Sequence, residues 1–344
     1  MNATPTIADL ARALNLSISS VSYALNGHKG VSEATRRRVI EYASRVGYRA
    51  NSSARALSSA RTSSIGIVIR DDYAVIRTEP YYLRFLAGVA ATLEGTEVEL
   101  IVKLTEAGLG DELAIYRRWA AESRVDGVIL IDETVDDPRT DLVQSLGLPA
   151  VLHGTSPPRN TELPGILIDD ALDSATLVEH LAQQGARRVL HVAGPMRHRH
   201  EIRRLQTVAA ECSARSLDYG SLTGSYALSH GQHAADVLAA QTATERPDAI
   251  IAANDLVAVA ACRRLTELGI AVPDDCRVVA WDNSVLCEIA EPPISALDRH
   301  PERCGSRAAQ MLLECLHGAD AAAPEVAEPS ELIVRRSSVP TGDA

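Results

Sequence analysis

The sequence lacks the features by which membrane, secreted and catalytic proteins are usually recognised. No stretch approaches the roughly 20 uninterrupted apolar residues of a membrane span, and the first ten residues, MNATPTIADL, hold no basic run followed by an apolar one. We therefore expect no membrane partner and a cytoplasmic location. The motifs G-x-S-x-G, H-E-x-x-H, the P-loop and a G-x-G-x-x-G after a strand are also absent. The sequence thus predicts neither an enzyme nor a bound cofactor.

Cysteine pairs and aromatic rings are equally scarce. All six cysteines lie in the second half of the 344-residue chain, and none forms a C-x-x-C pair. We expect them to be buried, reduced thiols. Aromatic residues make up 3% of the sequence, so we expect a ligand pocket with few rings for stacking.

The net charge of −11 is divided unevenly along the chain. Residues 1–62 contain nine basic and three acidic residues, whereas the remainder contains 25 basic and 42 acidic residues. A basic head on an acidic body indicates that the head, and not the body, binds a polyanion.

The first 48 residues predict three short helices. Thr6 and Asp9 match a capping box, and Ser17 and Ser32 are typical N-caps of a second and a third helix. The residues that helical spacing predicts to face inward are Leu10, Ala11, Leu14, Val21, Ala24, Leu25, Val39, Ile40 and Ala43. The tight turn between the first two helices indicates a helix-turn-helix, whose second helix can lie in the major groove of DNA. A generic three-helix module with a solvated basic face is the alternative.

The second helix carries small or polar side chains on the faces that the core does not use. They are Ile18, Ser19, Ser20, Ser22 and Tyr23. Such a surface suits the reading of base edges.

These residues resemble the head of the lactose-repressor (LacI/GalR) family. The similarity runs through residues 6–11, 17–26, 31–36, 47–51 and 54–57. It implies that Ile18, Ser19 and Tyr23 read bases in the major groove. The other DNA-binding positions that it implies are Thr6, Ser17, Ser20, Asn26, Thr35, Tyr48, Asn51, Ala54 and Leu57.

The resemblance also assigns residues 51–58 to a hinge helix that folds when two copies meet over the minor groove. Leu57 matches the leucine that wedges between the central base pairs and kinks the duplex. Two positions depart from the family pattern. Ala50 replaces the usual proline before the hinge, and Tyr23 stands where an arginine is common. Because a phenol cannot make the bidentate contact of an arginine with guanine, we expect a different base preference there.

From Ser64 onward, short β-branched runs alternate with amphipathic stretches. The candidate strands are residues 65–69, 98–102, 128–131, 150–152, 166–168, 189–192, 249–252 and 277–281. The candidate helices are residues 82–93, 112–124, 174–184, 232–241 and 255–268. This alternation predicts parallel sheets flanked by helices, divided into two lobes, with a ligand beyond the carboxyl ends of the strands.

The body also resembles the lactose-repressor family, over residues 124–129, 168–170, 180–181, 191–195, 253–255, 278–283 and 292–294. The resemblance implies an α/β body like that of periplasmic sugar-binding proteins, with two lobes joined by three crossovers. The domains expected are a helix-turn-helix head at 1–48, a hinge at 49–62 and an effector-binding body at 63–340. The first lobe takes 63–163 and 297–322, and the second takes 164–296 and 323–340.

The resemblance assigns effector contacts to Arg204, Asn254 and Asp282, with Arg70, Tyr226 and Arg299 at further cleft positions. A structural cap or a salt bridge is the alternative for each of them. Arginines 70, 77, 204 and 299 together suggest an acidic or phosphorylated ligand as a further hypothesis.

Two segments of the body stand out from this pattern. Residues 71–80 are longer and more charged than a connection between a first strand and its helix should be. Residues 196–200, Met-Arg-His-Arg-His, could hold a metal or an anion. No third or fourth ligand has suitable spacing, so we expect no metal and a solvated loop over the cleft.

The function that accounts for both halves is a sequence-specific transcription regulator, by default a repressor. We expect a homodimer that binds an inverted-repeat operator in double-stranded DNA and releases it when a small-molecule effector, a sugar or sugar phosphate, shifts the lobes. No leucine heptad occurs near the C-terminus, which favours a dimer over a tetramer. The alternatives are a corepressor-dependent regulator of the same family and a solute-binding protein without DNA function.

Overall fold

The computed structural model describes residues 5–25, 30–48, 62–106, 108–155, 163–319 and 323–339. The chain forms two compact units, residues 1–63 and residues 64–344. The predicted hinge helix, with Ala50, Asn51, Ala54 and Leu57, lies outside the described residues, as does Asn26.

The first unit contains three helices: α1 (Ile7–Leu14), α2 (Ile18–Leu25) and α3 (Glu33–Arg45). Each begins at a hydroxyl side chain, as the sequence predicts. Thr6 and Asp9 form the reciprocal capping box of α1. The hydroxyl of Ser17 accepts from the Ser20 N–H at 3.0 Å, and that of Ser32 accepts from the Thr35 N–H at 3.2 Å. These bonds satisfy N–H groups that a helix end leaves unpaired.

The core of this unit is formed by the apolar faces of the three helices. Leu10, Val21 and Val39 are wholly buried at its centre. The prediction that Ile40 faces inward is wrong, because 48% of its surface is exposed. On a 3.6-residue turn, Val39 and Ala43 already occupy the buried stripe, and Ile40 falls about 100° away from Val39.

The second unit contains two six-stranded sheets. The first sheet consists of β1 (Ser64–Arg70), β2 (Glu99–Thr105), β3 (Gly127–Leu130), β4 (Ala150–Gly154), β5 (Gly165–Leu167) and β11 (Glu325–Val326). Its order is β11-β5-β4-β3-β1-β2, and all its pairs are parallel. Buried β-branched residues such as Ile65, Ile67 and Ile129 fill it, as expected for a sheet covered on both faces.

The second sheet consists of β6 (Arg188–Ala193), β7 (Asp218–Thr223), β8 (Ala249–Ala252), β9 (Arg277–Ala280), β10 (Ser295–Asp298) and β12 (Glu331–Ile333). Its order is β12-β10-β9-β8-β6-β7. The β10–β12 pair is antiparallel, and the other pairs are parallel.

Helices of the body cover both sheets. They are α4 (Tyr73–Ile76), α5 (Pro80–Leu93), α6 (Leu109–Ala121), α7 (Pro138–Ser145), α8 (Asp170–Gln183), α9 (Arg199–Ala214), α10 (Leu228–Ala239), α11 (Asp255–Glu267), α12 (Val285–Ile289) and α13 (Pro301–Leu316). Across the described ranges of the chain, none of the helices combines the length and apolarity needed to span a membrane. Five of the six thiols are buried, and Cys315 is half-buried.

The chain passes between the two sheets three times: after β5, after β10 and between β11 and β12. These crossings correct the predicted lobe boundaries. β5 and β11 belong to the first lobe, although residues 164 onward and 323 onward were assigned to the second, and β10 places residues 297 and 298 in the second lobe. Four strands escape sequence prediction: β7, β10, β11 and β12. β7 and β10 read DYGSLT and SALD, which are poor in β-branched residues, and β11 and β12 are two and three residues long.

In the first lobe, α5 and α13 pack with their backbones in close contact at two glycines. A Cβ atom on Gly88 would lie 1.9 Å from the Glu302 carbonyl oxygen, and one on Gly305 would lie 2.1 Å from the Phe85 carbonyl oxygen. Only glycine fits at either position. Arg84 on α5 also pairs with Glu302 on α13, with Nη2 2.8 Å from Oε2.

Candidate DNA-binding and effector-binding sites

The strands of both lobes end at one cavity in the body, as expected for ligand sites in open parallel sheets. The first lobe contributes Glu79, Tyr81, Tyr82, Phe85, Ile131, Asp132, Glu133, His153, Gly154, Thr155 and Ile168. The second contributes Asp170, His200, Arg204, Tyr226, Ala253, Asp282 and Arg299. The space between them is about 720 Å³ when the open mouth is counted, and about 70 Å³ of it accepts the centres of water-sized spheres.

Arg204 is the buried cation of the second lobe. Its Nε donates to Asp170 Oδ1 at 3.0 Å, and its Nη1 donates to Glu201 Oε1 at 3.1 Å. Its guanidinium also lies 4.2 Å from the centre of the Trp281 ring. A buried guanidinium held on three sides is fixed in orientation before any ligand arrives.

Arg299, which also lines the cavity, is held in a similar way. Its Nε donates to Asp282 Oδ1 at 3.0 Å, and its guanidinium lies 4.6 Å from the centre of the Tyr81 ring. The hydroxyl of Tyr81 in turn lies 2.7 Å from His153 Nε2. Burial lowers the pKa of His153 to about 3, with Arg299 as a further cause, so this imidazole is neutral at physiological pH.

Glu79 brings an unusually weak carboxylic acid into the cavity. Burial raises its pKa to about 8, and the charges of Asp282 and Asp255 act in the same direction. Its oxygens accept from the Tyr81 N–H at 3.2 Å and from Asn254 Nδ2 at 2.7 Å. Glu79 therefore carries a proton at neutral pH and can donate it to a ligand oxygen.

Four polar atoms of the residues that line this cavity are buried without a hydrogen-bond partner in the described structure: His153 Nδ1, Thr155 Oγ1, Asp170 Oδ2 and Arg204 Nη2. Among the described residues, nothing accepts from Arg204 Nη2 or donates to Asp170 Oδ2. Buried polar atoms are almost always paired in folded proteins. A free donor beside a free acceptor is the arrangement that a ligand hydroxyl satisfies, since a hydroxyl both donates and accepts.

The expectation that the pocket is short of aromatic rings is wrong. Tyr81, Tyr82, Phe85 and Tyr226 all line the cavity, and Phe85 is the single phenylalanine of the sequence. The scarcity of aromatic residues in the whole chain therefore says little about this site, because the fold gathers a third of them there.

In the first unit, α2 presents the predicted reading surface. Ile18 and Tyr23 are 54% and 46% exposed, although large apolar side chains normally turn inward. Ser17 and Ser19 are exposed, while Val21 and Ala24 on the other face are buried. Thr35 lies in the first turn of α3, with its hydroxyl 2.9 Å from that of the N-cap Ser32, and Tyr48 is half-buried against the core.

Comparisons with known proteins agree with this architecture. A family model described as bacterial regulatory proteins, lacI family, matches residues 6–51, and a periplasmic binding protein-like domain matches residues 178–338. The transcriptional regulator AglR of Rhizobium meliloti is 30% identical over 347 residues, covering 98% of this chain and 95% of that protein.

The chain belongs to the LacI family of bacterial regulatory proteins.

Two further relatives extend this result. The transcriptional regulator CelR of Thermobifida fusca is 29% identical over 337 residues, covering 96% of this chain and 95% of CelR. The solved structure of a CelR–cellobiose complex has a TM-score of 0.72 at 28% identity, covering 97% of this chain and 99% of that one. The predicted fold class is confirmed, and the protein is a DNA-binding transcription regulator with an effector-binding body. These relatives are regulators and not enzymes.

The structure brings four of the six predicted effector residues together and leaves two outside the cavity lining. Arg204, Tyr226, Asp282 and Arg299 line it. Arg70 does not, because its Nε is paired with Glu112 Oε2 at 2.7 Å. The side chain of Asn254 makes structural hydrogen bonds instead. It caps α11 by accepting from the Val257 N–H, and its amide donates to Glu79. That the four lining residues contact an effector stays a prediction.

Sequence reasoning missed six acidic or histidine residues of this LacI-family cavity: Glu79, Asp132, Glu133, His153, Asp170 and His200. Glu79 lies in the segment 71–80 whose length and charge were unusual for a connection. Asp132 and Asp170 lie two and three residues after the ends of β3 and β5, so their position near strand ends was a usable signal. His200 lies in the segment 196–200.

The prediction that residues 196–200 form a solvated loop is also wrong. His198 is wholly buried, and α9 begins immediately after it. The segment is fixed to the end of β3 by a bridge between Thr134 and His198 and by a bond from the Arg199 N–H to the Glu133 carbonyl oxygen at 2.8 Å. Spacing along the sequence could not reveal Asp132 as a third ionisable group at this point.

Proposed function

We propose that this LacI-family regulator binds an inverted-repeat operator as a dimer and is controlled by a neutral sugar bound in the cavity. Ile18, Ser19 and Tyr23 on α2 read the bases of each half-site. The observation that carries the choice of ligand is the pair of unsatisfied atoms, Arg204 Nη2 and Asp170 Oδ2, beside aromatic rings. A sugar offers hydroxyls to these two atoms and an apolar ring face to the aromatic rings.

The charges of the cavity favour a neutral ligand over an acidic or phosphorylated one. Arg204 and Arg299 are already paired with carboxylates. Arg70 and Arg77, on which the hypothesis of an acidic ligand also depended, are not among the lining residues. The lining contains five carboxyl groups against two guanidinium groups, so a phosphate would meet more acidic than basic side chains.

The similarity to CelR also favours a neutral sugar as the ligand. That regulator has been solved with cellobiose, and it resembles this chain over nearly its whole length. We propose a neutral mono- or oligosaccharide as the effector of this chain, with cellobiose as the first compound to test.

Control by the effector follows from contacts that cross between the lobes. Arg84 of the first lobe donates to the Asn283 carbonyl oxygen of the second at 2.6 Å, and Arg197 of the second donates to Asp71 of the first at 2.7 Å. A ligand that binds between such lobes stabilises one arrangement by the difference in its affinity for the two. We propose that this shift moves the two heads of the dimer and releases the operator.

The test is selection of operator DNA from random sequence with the purified chain, followed by titration with sugars. We expect an inverted repeat with half-sites about one helical turn apart, salt-sensitive binding and release by one neutral sugar. Release by the phosphorylated form alone would overturn the choice of a neutral ligand. Binding that strengthens with a compound would establish the corepressor-dependent alternative, and failure to select any sequence would contradict the operator proposal.

A further inference from the structure

A cluster of two histidines and one aspartate lies at the edge of the cavity, where the two lobes meet. One nitrogen or oxygen atom from each of Asp132, His198 and His200 lies within 4.8 Å of the other two. Asp132 follows β3 of the first lobe, whereas His198 and His200 stand at the start of α9 in the second. We propose that these three side chains bind a divalent transition-metal ion of the zinc type.

His198 is the observation that points to a ligand. The side chain is wholly buried, yet across the described residues neither ring nitrogen has a hydrogen-bond partner. A buried imidazole normally makes at least one such bond, because leaving it unpaired costs about 1–3 kcal/mol. A metal ion supplies the missing partner.

The hydrogen bonds around the cluster leave one atom of His200 and one of Asp132 free to bind the ion. His200 Nε2 lies 2.8 Å from the Tyr226 hydroxyl, and that hydroxyl donates to Glu201. The hydroxyl therefore accepts from Nε2–H, which leaves the lone pair of His200 on Nδ1. Tyr82 donates to Asp132 Oδ2 at 2.8 Å, and Asp132 Oδ1 can face the ion.

Asp71 supplies the supporting group that metal-binding histidines usually have. Its Oδ2 lies 3.9 Å from His198 Nε2 and is itself buried without a hydrogen-bond partner in the described structure. A carboxylate that accepts from the second ring nitrogen of a ligating histidine orients the ring and makes it a stronger ligand. His198 then binds the ion through Nδ1.

The backbone already holds the three ligands in place, because the Thr134–His198 bridge joins the two segments that carry them. Tetrahedral zinc with bonds of about 2.0–2.1 Å needs ligand atoms roughly 3.4 Å apart. The rings of His198 and His200 are stacked with centroids 5.2 Å apart, so binding also requires these rings to rotate until both lone pairs face the ion. Burial lowers the pKa of His198 and of His200, and the guanidinium groups that act in the same direction are each paired with a carboxylate. Arg70 is paired with Glu112 and Arg197 with Asp71, and the neighbouring Arg199 is paired with Glu133.

Three protein ligands leave the fourth tetrahedral position open, as in zinc sites that bind a water or a substrate. Asp132 and His200 both line the cavity, so this position faces it. The ion would link the two lobes through its ligands. Its open position would also contact an oxygen of a bound molecule.

The experiment uses the full chain, stripped with a chelator and titrated with Zn²⁺ by calorimetry and with Co²⁺ by visible absorption. We expect one tight equivalent of Zn²⁺, the absorption of four-coordinate Co²⁺, and a higher melting temperature with the metal. His198→Gln, His200→Gln and Asp132→Asn should each weaken binding about tenfold or more. His180→Gln is the matched control, because His180 is a buried histidine of the same lobe that is bonded to Ser338.

Circular dichroism establishes which variants are folded, and His200→Gln and Asp132→Asn carry the test if His198→Gln is not. Equal metal binding by the wild type and all folded variants would place the ion on surface histidines and overturn the proposal. Absence of binding in the wild type would overturn it as well. Since neither operator nor sugar is used, both outcomes are independent of the proposed function.

Discussion

The side-chain amide of Asn254 donates to Glu79 across the cleft, with Nδ2 2.7 Å from Oε2. The two residues belong to different lobes, and each begins a helix as its N-cap, Asn254 that of α11 and Glu79 that of α5. This bond makes the protonation state of one carboxyl group part of the contact between the lobes.

Stability should therefore fall with rising pH in a way that depends on Glu79. Its pKa is about 8 in the folded chain and about 4.5 in the unfolded chain, so its contribution is present below pH 4.5 and is lost as the pH rises through 8. Glu79→Gln should flatten the dependence of the melting temperature on pH between 5 and 9. Glu94→Gln, at an exposed position, is the control, and an unchanged slope in Glu79→Gln would refute the prediction.

Removal of the Arg204 guanidinium should destabilise the body strongly. Arg204→Met leaves Asp170 and Glu201 buried without their cation, a change that costs about 3–5 kcal/mol in the free energy of unfolding. Urea-induced unfolding measures this loss. Arg203→Ala, at the exposed neighbouring position of α9, should change stability by no more than about 0.5 kcal/mol. Similar losses in the two variants would show that Arg204 does not hold these acids.

Two glycine substitutions should have opposite effects on stability. Gly305→Ala forces a methyl group to within 2.1 Å of the Phe85 carbonyl oxygen, and overpacking of this kind costs about 1–3 kcal/mol or more. Gly110→Ala, in the first turn of α6, meets no atom within 4 Å and should stabilise by about 0.4–1 kcal/mol. Thermal unfolding of both variants tests the pair, and a neutral Gly305→Ala would mean that the two helices separate readily.

Tyr23→Arg should change which operator is selected. An arginine can make a bidentate contact with guanine that a phenol cannot, and such a contact discriminates by about 1–3 kcal/mol. Selection from random DNA should then enrich guanine at one base pair of each half-site. Ala13→Arg adds the same charge at an exposed position of α1 and should strengthen binding to all sequences alike. An identical selected operator for the wild type and Tyr23→Arg would remove Tyr23 from the reading surface.

The features that local spacing determines could be predicted from the sequence. The caps at Thr6, Ser17 and Ser32 act on residues three positions away, and strands such as β1 and β8 are continuous apolar runs. β7 and β10 could not be predicted in this way. They become strands because their neighbours in the sheet supply hydrogen-bond partners, a tertiary effect that outweighs weak propensity.

The cavity was predictable in location and only partly in composition. Arg204 and Asp282 were found through family resemblance, whereas Asp132 and His198 meet only because a loop of one lobe is bridged to a strand end of the other. Glu79 and Asn254 illustrate the same limit. A polar residue at a strand end or helix cap can face a ligand or can be hydrogen-bonded to a neighbouring side chain. Only the packed arrangement decides between these outcomes.

The close backbone contact at Gly88 and Gly305 couples α5 to α13. Both start at the cavity, where Glu79 caps one and Arg299 stands two residues before the other, and they run about 20 Å away from it at 1.5 Å per residue. Because the backbones touch at Gly88 and Gly305 and Arg84 pairs with Glu302, we expect the two helices to move as one packed pair. A ligand that displaces Tyr81 at the start of α5 would then displace α13 as well.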